Sequence, residues 1–293
     1  MPSRYAKQVM LLLRSKLLHR PYLPSQMLRS AAELGINAPR KIHRADRMCR
    51  PLSDRIALIT GASRGIGAAA ALALAQAGAH VVTVARTVGG LEELDDKIKA
   101  AGGSATLVPL DMKDSDGIAR LALALNKRYR RLDVLIGNAG ILGPLSPLGH
   151  LEPKDWDNLI AVNVTANWQL IRCMDPLLRK ATAGRALFLT SAVAYMDRAY
   201  WAAYAATKAA LDALVRGYAA EIATTNVRAN LFSPGPTRTR MYLSAFPGVD
   251  PETLPTPEEI AKAMVPLCLP TCTETGRLYD FRAGRFLEFH PPS

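Results

Sequence analysis

Tyr204 and Lys208 stand four residues apart in the run WAAYAATKAALDAL, whose alanines make it a strong helix former. Side chains four apart on a helix project from one face, so a phenol and an ammonium share a stripe there. Two readings stand open: a solvated decoration of a surface helix, or a phenol held beside a cation for proton transfer. A phenol ordinarily titrates near pH ~10, which makes it a poor base at neutral pH without help from a neighbouring charge.

A second constellation lies far upstream. TGASRGIG spans residues 60–67, after one apolar run and before an alanine-rich one. Strand before and helix after is the setting a phosphate-binding turn requires, and a glycine cluster without it says little. Gly61 would allow the tight turn and Gly65 the approach of backbone to a pyrophosphate. Gly67 would allow the helix to pack closely on the strand. The helix N-terminus adds free N–H groups and a partial positive charge. The nucleotide's identity should be written at the end of the next strand, where an acid would hold a ribose 2′-hydroxyl. The chain has Ala85-Arg86-Thr87 there, with Arg64 inside the glycine loop. Two guanidiniums suit a 2′-phosphate, so NADP is expected over NAD; the plain alternative is two surface arginines. Asp111 closes the third apolar run, placed to meet an adenine edge or to cap the next helix.

These residues need a scaffold, and the body of the chain supplies its pattern. RIALIT, HVVTVAR, SATLVPLD, LDVLIGNAG, RALFLTS and NVRANLFSPG read as six short strands. Helical segments alternate with them, including 115–130, a long one from Pro153 at its first turn, and 200–224. Apolar strands alternating with helices predict an α/β fold, a doubly wound parallel sheet of the Rossmann kind in a single domain over 53–293.

The charge belongs elsewhere. Of the formal net charge of +12, residues 1–50 contribute eleven Lys and Arg against Glu33 and Asp46; the rest carries 26 bases and 23 acids. A nearly balanced body is a poor nucleic-acid binder. The basic extension over 1–52 has three open readings: a mitochondrial transit peptide, a helix lying on an anionic membrane surface, or a segment outside the native product with Met48 as the start. Four scattered cysteines, Cys49, Cys173, Cys268 and Cys272, form neither a disulfide framework nor a zinc pattern. Free thiols in a reducing compartment are expected, hence the cytoplasm, or the mitochondrion if the extension is a transit peptide. No metal is expected.

With these pieces in order, the chain resembles the short-chain dehydrogenase/reductase family over roughly residues 53–282. The motifs that carry the resemblance are TGASRGIG at 60–67, Asp111, NAG at 138–140, Asn163, Ser191, YAATK at 204–208 and PGPT at 234–237. Within the family it is most similar to a bacterial oxidoreductase subgroup, a likeness that brings no substrate with it.

The resemblance implies a hydride passed between a nicotinamide and a carbonyl/alcohol substrate, with Tyr204 as general acid or base. It implies that Lys208 lowers the phenol's pKa and holds the nicotinamide ribose, that Ser191 binds the substrate oxygen, and that Asn163 holds a water leading from Lys208 to solvent. Cofactor contacts would come from Gly61, Ser63, Arg64, Gly65, Ile66, Gly67, Arg86 and Asp111. Asn138, Ala139, Gly140, Tyr204, Lys208, Pro234, Gly235 and Thr237 would complete them. A homo-dimer or homo-tetramer is implied too, through the helices at 153–180 and 200–224. Residues 238–257 should form a lid but match no substrate pattern, and GRLYDFRAGRF replaces the usual glycine-rich ending. Tyr195, Met196, Tyr200 and Trp201 either line an apolar substrate pocket or simply pack. The competing reading is a non-catalytic NADP-binding sensor or scaffold on the same fold.

Overall fold

The computed structural model describes residues 50–289. The three readings of the basic arm, and Cys49, concern residues outside the described ones. The folded body begins earlier than residue 53: Leu52 is fully buried in the core, and its N–H donates to the Ala77 carbonyl at 2.9 Å.

Eight strands form one sheet in the order β3-β2-β1-β4-β5-β6-β7-β8. They are β1 (Ile56–Thr60), β2 (His80–Ala85), β3 (Ser104–Pro109), β4 (Val134–Gly137), β5 (Arg185–Leu189), β6 (Arg228–Ser233), β7 (Leu278–Asp280) and β8 (Arg285–Leu287). All neighbours pair in parallel except β7 with β8. Central strands are apolar on both faces because helices cover both. In β1, Leu58 faces a core shared with α3 (Ser115–Tyr129), α5 (Ala166–Leu178) and α6 (Ala202–Glu221). Its neighbours Ala57 and Ile59 face the opposite core, shared with α1 (Gly65–Gln76), α2 (Val88–Ala100) and α8 (Pro257–Leu267). Successive side chains of a strand point to opposite faces, so three adjacent apolar residues feed two separate cores.

The sequence reading anticipates six strands; the structure adds a seventh and an eighth. GRLYDFRAGRF folds as a hairpin, with Leu278 opposite Leu287 and Asp280 opposite Arg285. Gly284 takes a left-handed φ of +64° at its turn. The long helix beginning at Pro153 is helical throughout but not α throughout. It divides into α4 (Pro153–Leu159), a π-helical turn (Ile160–Thr165) and α5, with Asn163 inside the turn. A π turn carries one residue more per turn than an α-helix and recurs at functional positions.

Candidate active site

The sheet order reverses at β1, which has β2 on one side and β4 on the other. Beyond the carboxyl ends of such strands lies the crevice in which open α/β sheets bind ligands. The chain delivers the glycine loop there from β1, Asn138 from β4, Ser191 from β5 and Pro234 from β6.

The loop's glycines differ in what they do. Gly61 and Gly65 adopt left-handed φ values of +67° and +56°. A Cβ on Gly67 would stand 2.4 Å from both the Gly61 carbonyl oxygen and Asn138 Nδ2, so this position closes the turn by contact. Among the described residues a Cβ on Gly65 would meet only the Thr239 side chain, Cγ2 at 3.5 Å and Cβ at 4.0 Å. Among the described residues no side chain caps α1, and its first turn holds no acid, an N-terminus suited to an anion. Ser63 packs against Gly90, and Ile66 is half-buried against the adjoining core. Arg64 and Arg86 are exposed, and Arg86 Nη1 lies 4.0 Å from Asp111 Oδ2. Asp111 does not cap the next helix. Its carboxylate accepts from Lys113 N at 3.0 Å, while Asp114 accepts from Gly117 N at 2.8 Å and caps α3.

Asn138 binds β1 to β4: its Nδ2 donates to the Thr60 carbonyl at 2.8 Å and that of Gly61 at 3.2 Å. The fully buried Thr60 is a contributor that the motif reading misses. Its hydroxyl accepts from Asn138 N and Ala139 N, each at 3.0 Å. A threonine ending an apolar strand was the available signal, since a buried hydroxyl must find partners.

Tyr204 and Lys208 lie on the inward face of α6: both are buried, and neither decorates a surface. Lys208 Nζ donates to the Leu189 carbonyl at the end of β5, at 2.8 Å, and sits 5.7 Å from the Tyr204 ring centroid. Burial lowers the lysine's pKa to about 8, opposed by the Asp212 carboxylate. Burial pushes the Tyr204 phenol up to about 12, opposed by a hydrogen bond with Ser191. Desolvation is the larger influence on both groups, and the hydrogen bond to Leu189 takes one of the three N–H donors of the ammonium.

Asn163 uses its whole side chain. Its Oδ1 accepts from Ile141 N at 2.9 Å, and its Nδ2 donates to the Ile141 carbonyl at 2.9 Å and to Thr207 Oγ1 at 3.0 Å. The amide therefore ties the segment after β4 to α6 between Tyr204 and Lys208, and Asn167 Nδ2 donates to the Asn163 carbonyl at 2.8 Å. Gly140 lies beside this group, where a Cβ would stand 3.4 Å from Asn163 Oδ1 and 3.7 Å from Lys208 Nζ. After β6, Gly235 is left-handed at φ +67°, and Thr237 is buried with its hydroxyl donating to the Gly235 carbonyl at 3.2 Å.

The four residues between Ser191 and Tyr204 divide. Trp201 is buried and packs with Leu159, Val193 and Tyr204, while Tyr195, Met196 and Tyr200 are exposed. Tyr195 turns away to donate to Asp212 Oδ2 and to lie 5.9 Å from the Phe289 ring. The segment 238–257 carries α7 (Arg240–Ala245), capped by Thr239, and its Phe246 stacks on Trp201 at 5.5 Å.

The chain is similar to known proteins. Residues 55–249 match the family model described as short chain dehydrogenase. The chain is 37% identical over 242 residues to the uncharacterized oxidoreductase YciK of Escherichia coli K12, across 80% of this chain and 94% of that protein. It is 33% identical to the 2,3-dihydro-2,3-dihydroxybenzoate dehydrogenase of Bacillus subtilis, across 67% and 74%. A solved short chain dehydrogenase of Shigella flexneri 2a, complexed with NADP, aligns at a TM-score of 0.75 and 36% identity, covering 80% of this chain and 99% of that one.

Proposed function

The chain belongs to the short chain dehydrogenase family, and from that membership we propose an NADP(H)-dependent oxidoreductase that interconverts a carbonyl and an alcohol with Tyr204 as its proton carrier. The observation that carries the reading is the meeting of Ser191, Tyr204 and Lys208 at the carboxyl end of β5. NADP fits the described residues: Gly65, where a Cβ would meet only the Thr239 side chain, a helix N-terminus without a side-chain cap and two exposed arginines, Arg64 and Arg86. Gly61, Ser63, Arg64, Gly65, Ile66 and Gly67 would hold the phosphates, with Arg86 at the 2′-phosphate and Asp111 beside it. Asn138, Ala139, Gly140, Pro234, Gly235 and Thr237 would border the nicotinamide end.

Bound NADPH supplies the hydride; the protein supplies orientation and electrostatics. Tyr204 Oη, kept protonated by burial, gives its proton to the substrate oxygen as charge develops there. Ser191 Oγ donates a hydrogen bond to the same oxygen. Lys208 Nζ lies within reach to stabilise the phenolate left behind, and Asn163 with Thr207 fixes the helix turn that bears both. A sensor would need no such acid, so the non-catalytic reading lacks a reason for the intact set.

The half-exposed Trp156 and Trp168 on α4 and α5 support a homo-dimer or homo-tetramer joined through these helices. Among the described residues no helix is long and apolar enough to cross a membrane. We place the protein in the cytoplasm because Cys173, Cys268 and Cys272 are free, which suits a reducing compartment. The extension before residue 50 remains the candidate for membrane-surface contact. The central test is NADPH oxidation across a carbonyl panel: Tyr204→Phe should lose turnover by about 10³-fold while keeping NADPH affinity. Undiminished turnover in that variant overturns the mechanism.

A further inference from the structure

Arg198 lies between Ser191 and α6, exposed on the outer side of the aromatic group that covers Tyr204. Its Cζ is 5.0 Å from the Trp201 ring centroid and 4.6 Å from that of Phe246. Those two rings stack with their planes 22° apart, and Trp201 meets the Tyr204 ring edge-on at 6.2 Å. Trp201 is thus in contact with both the guanidinium and the ring of the proton carrier. Among the described residues no carboxylate pairs with Arg198, although Asp197 is its chain neighbour. The two rings restrain the side chain, so much of its rotamer entropy is already lost, while its N–H donors stay uncommitted. A restrained, unpaired guanidinium is a preorganised receptor for a planar anion, which it can take in two parallel hydrogen bonds.

The surroundings set the rest of the ligand. Ile141, Leu142, Leu151, Leu159, Trp201 and Phe246, all apolar, pack in one cluster with Tyr204. The phosphate-binding helix N-terminus belongs to a different strand end, so Arg198 is not needed there. On the reductase reading above, we propose that Arg198 anchors a carboxylate of the substrate. The substrate is then a compact apolar ketone, or the matching alcohol, whose acid group stands about one ring's span from the reacting carbon. The opposing possibility is a structural clamp, with Arg198 only pressing Phe246 onto Trp201. A clamp would serve charged and uncharged substrates alike.

The test compares NADPH-dependent reduction of 4-acetylbenzoate and its methyl ester by wild type, Arg198→Met and Arg198→Lys. The wild type should favour the acid by about tenfold or more in kcat/KM, as a charge-assisted pair requires. Arg198→Met keeps an apolar stem on Trp201 and should bring the acid-to-ester ratio near one, with Arg198→Lys in between. Absence of acid preference in the wild type, or a proportional loss on both substrates in Arg198→Met, overturns the anchor. Equilibrium binding of both compounds to the NADP⁺-saturated protein separates the two readings. Acid-selective binding lost in Arg198→Met, without turnover of either compound, leaves the anchor standing and counts against the reductase reading. Turnover without selectivity removes the anchor alone, and binding of neither compound also overturns it.

Discussion

Asp212 lies one helical turn beyond Lys208 on α6, and both are buried, at 2% and 4% exposure. The carboxylate is the influence that holds the lysine's pKa up against desolvation. It is faced by Tyr195, Thr190 and Arg216 as well. If reduction needs Lys208 charged and Tyr204 protonated, activity is full below about pH 8 and falls as pH rises through that value. Asp212→Asn should move the alkaline limb of kcat to lower pH by about one unit, with NADPH affinity at pH 6.5 little changed. A pH–rate profile checks it; an unmoved limb shows that Asp212 does not act through Lys208.

The same lysine should cost the protein stability. Its folded pKa of about 8 lies below the 10.5 of an unburied lysine, so below pH 8 both states carry the charge and the folded one bears the burial. Between those values only the folded state has released its proton, and wild-type stability rises with pH across that window. Lys208→Met should be inactive and should lose this rise of stability between about pH 8 and pH 10.5. Urea midpoints of wild type and variant at pH 7 and near pH 10 measure it, and an equal rise in the variant contradicts the assignment to Lys208.

Cofactor choice rests on Arg86. Its exposed guanidinium stands at the end of β2, 4.0 Å from Asp111. Arg86→Ala should weaken NADPH binding by about tenfold, the size of one charge-assisted contact, while NADH binding changes less than about twofold. Fluorescence titration with both nucleotides decides; equal losses would place Arg86 away from the 2′-phosphate.

Asn163 makes three side-chain hydrogen bonds in the interior, to both polar groups of Ile141 and to Thr207. Asn163→Ala leaves buried partners unsatisfied and should cost about 2–4 kcal/mol of stability. It should also lower kcat more than it raises KM, because the loosened turn is the one bearing Tyr204 and Lys208. Denaturation and steady-state kinetics together test the claim, and an intact kcat in the folded variant would leave Asn163 a purely structural tie.

Much of this arrangement was readable from the chain, for identifiable reasons. Central parallel strands must be apolar on both faces, so RIALIT and RALFLTS stand out without any knowledge of their neighbours. The glycine loop was readable because Gly61 and Gly65 need left-handed backbone that other residues resist. What escaped depends on contacts between distant segments. Thr60 gains its role from Asn138, and Tyr195 from Asp212 on a later helix. Asp111 alone suggested a cap in the sequence, and only the backbone path shows that Asp114 is the residue that reaches Gly117. Strands β7 and β8 have three residues each and mix aromatics with charges, too short for period-two alternation to register.

The π turn at Ile160–Thr165 has a bearing on how this chain can be altered. An α-helix advances about 100° per residue, whereas a π turn spreads one residue more over each turn, so the segment absorbs one residue's worth of rotation. The inward set Ala166, Leu170, Met174 and Leu177 therefore faces the core with the extra residue in place. Deleting one residue and regularising the turn to α would leave that set in phase, while deleting one from α5 itself would turn everything after it by about 100°. The segment is the place where this helix takes up slack: it can give up a residue in number more readily than it can give up the type of Asn163, whose amide ties it to Ile141 and Thr207.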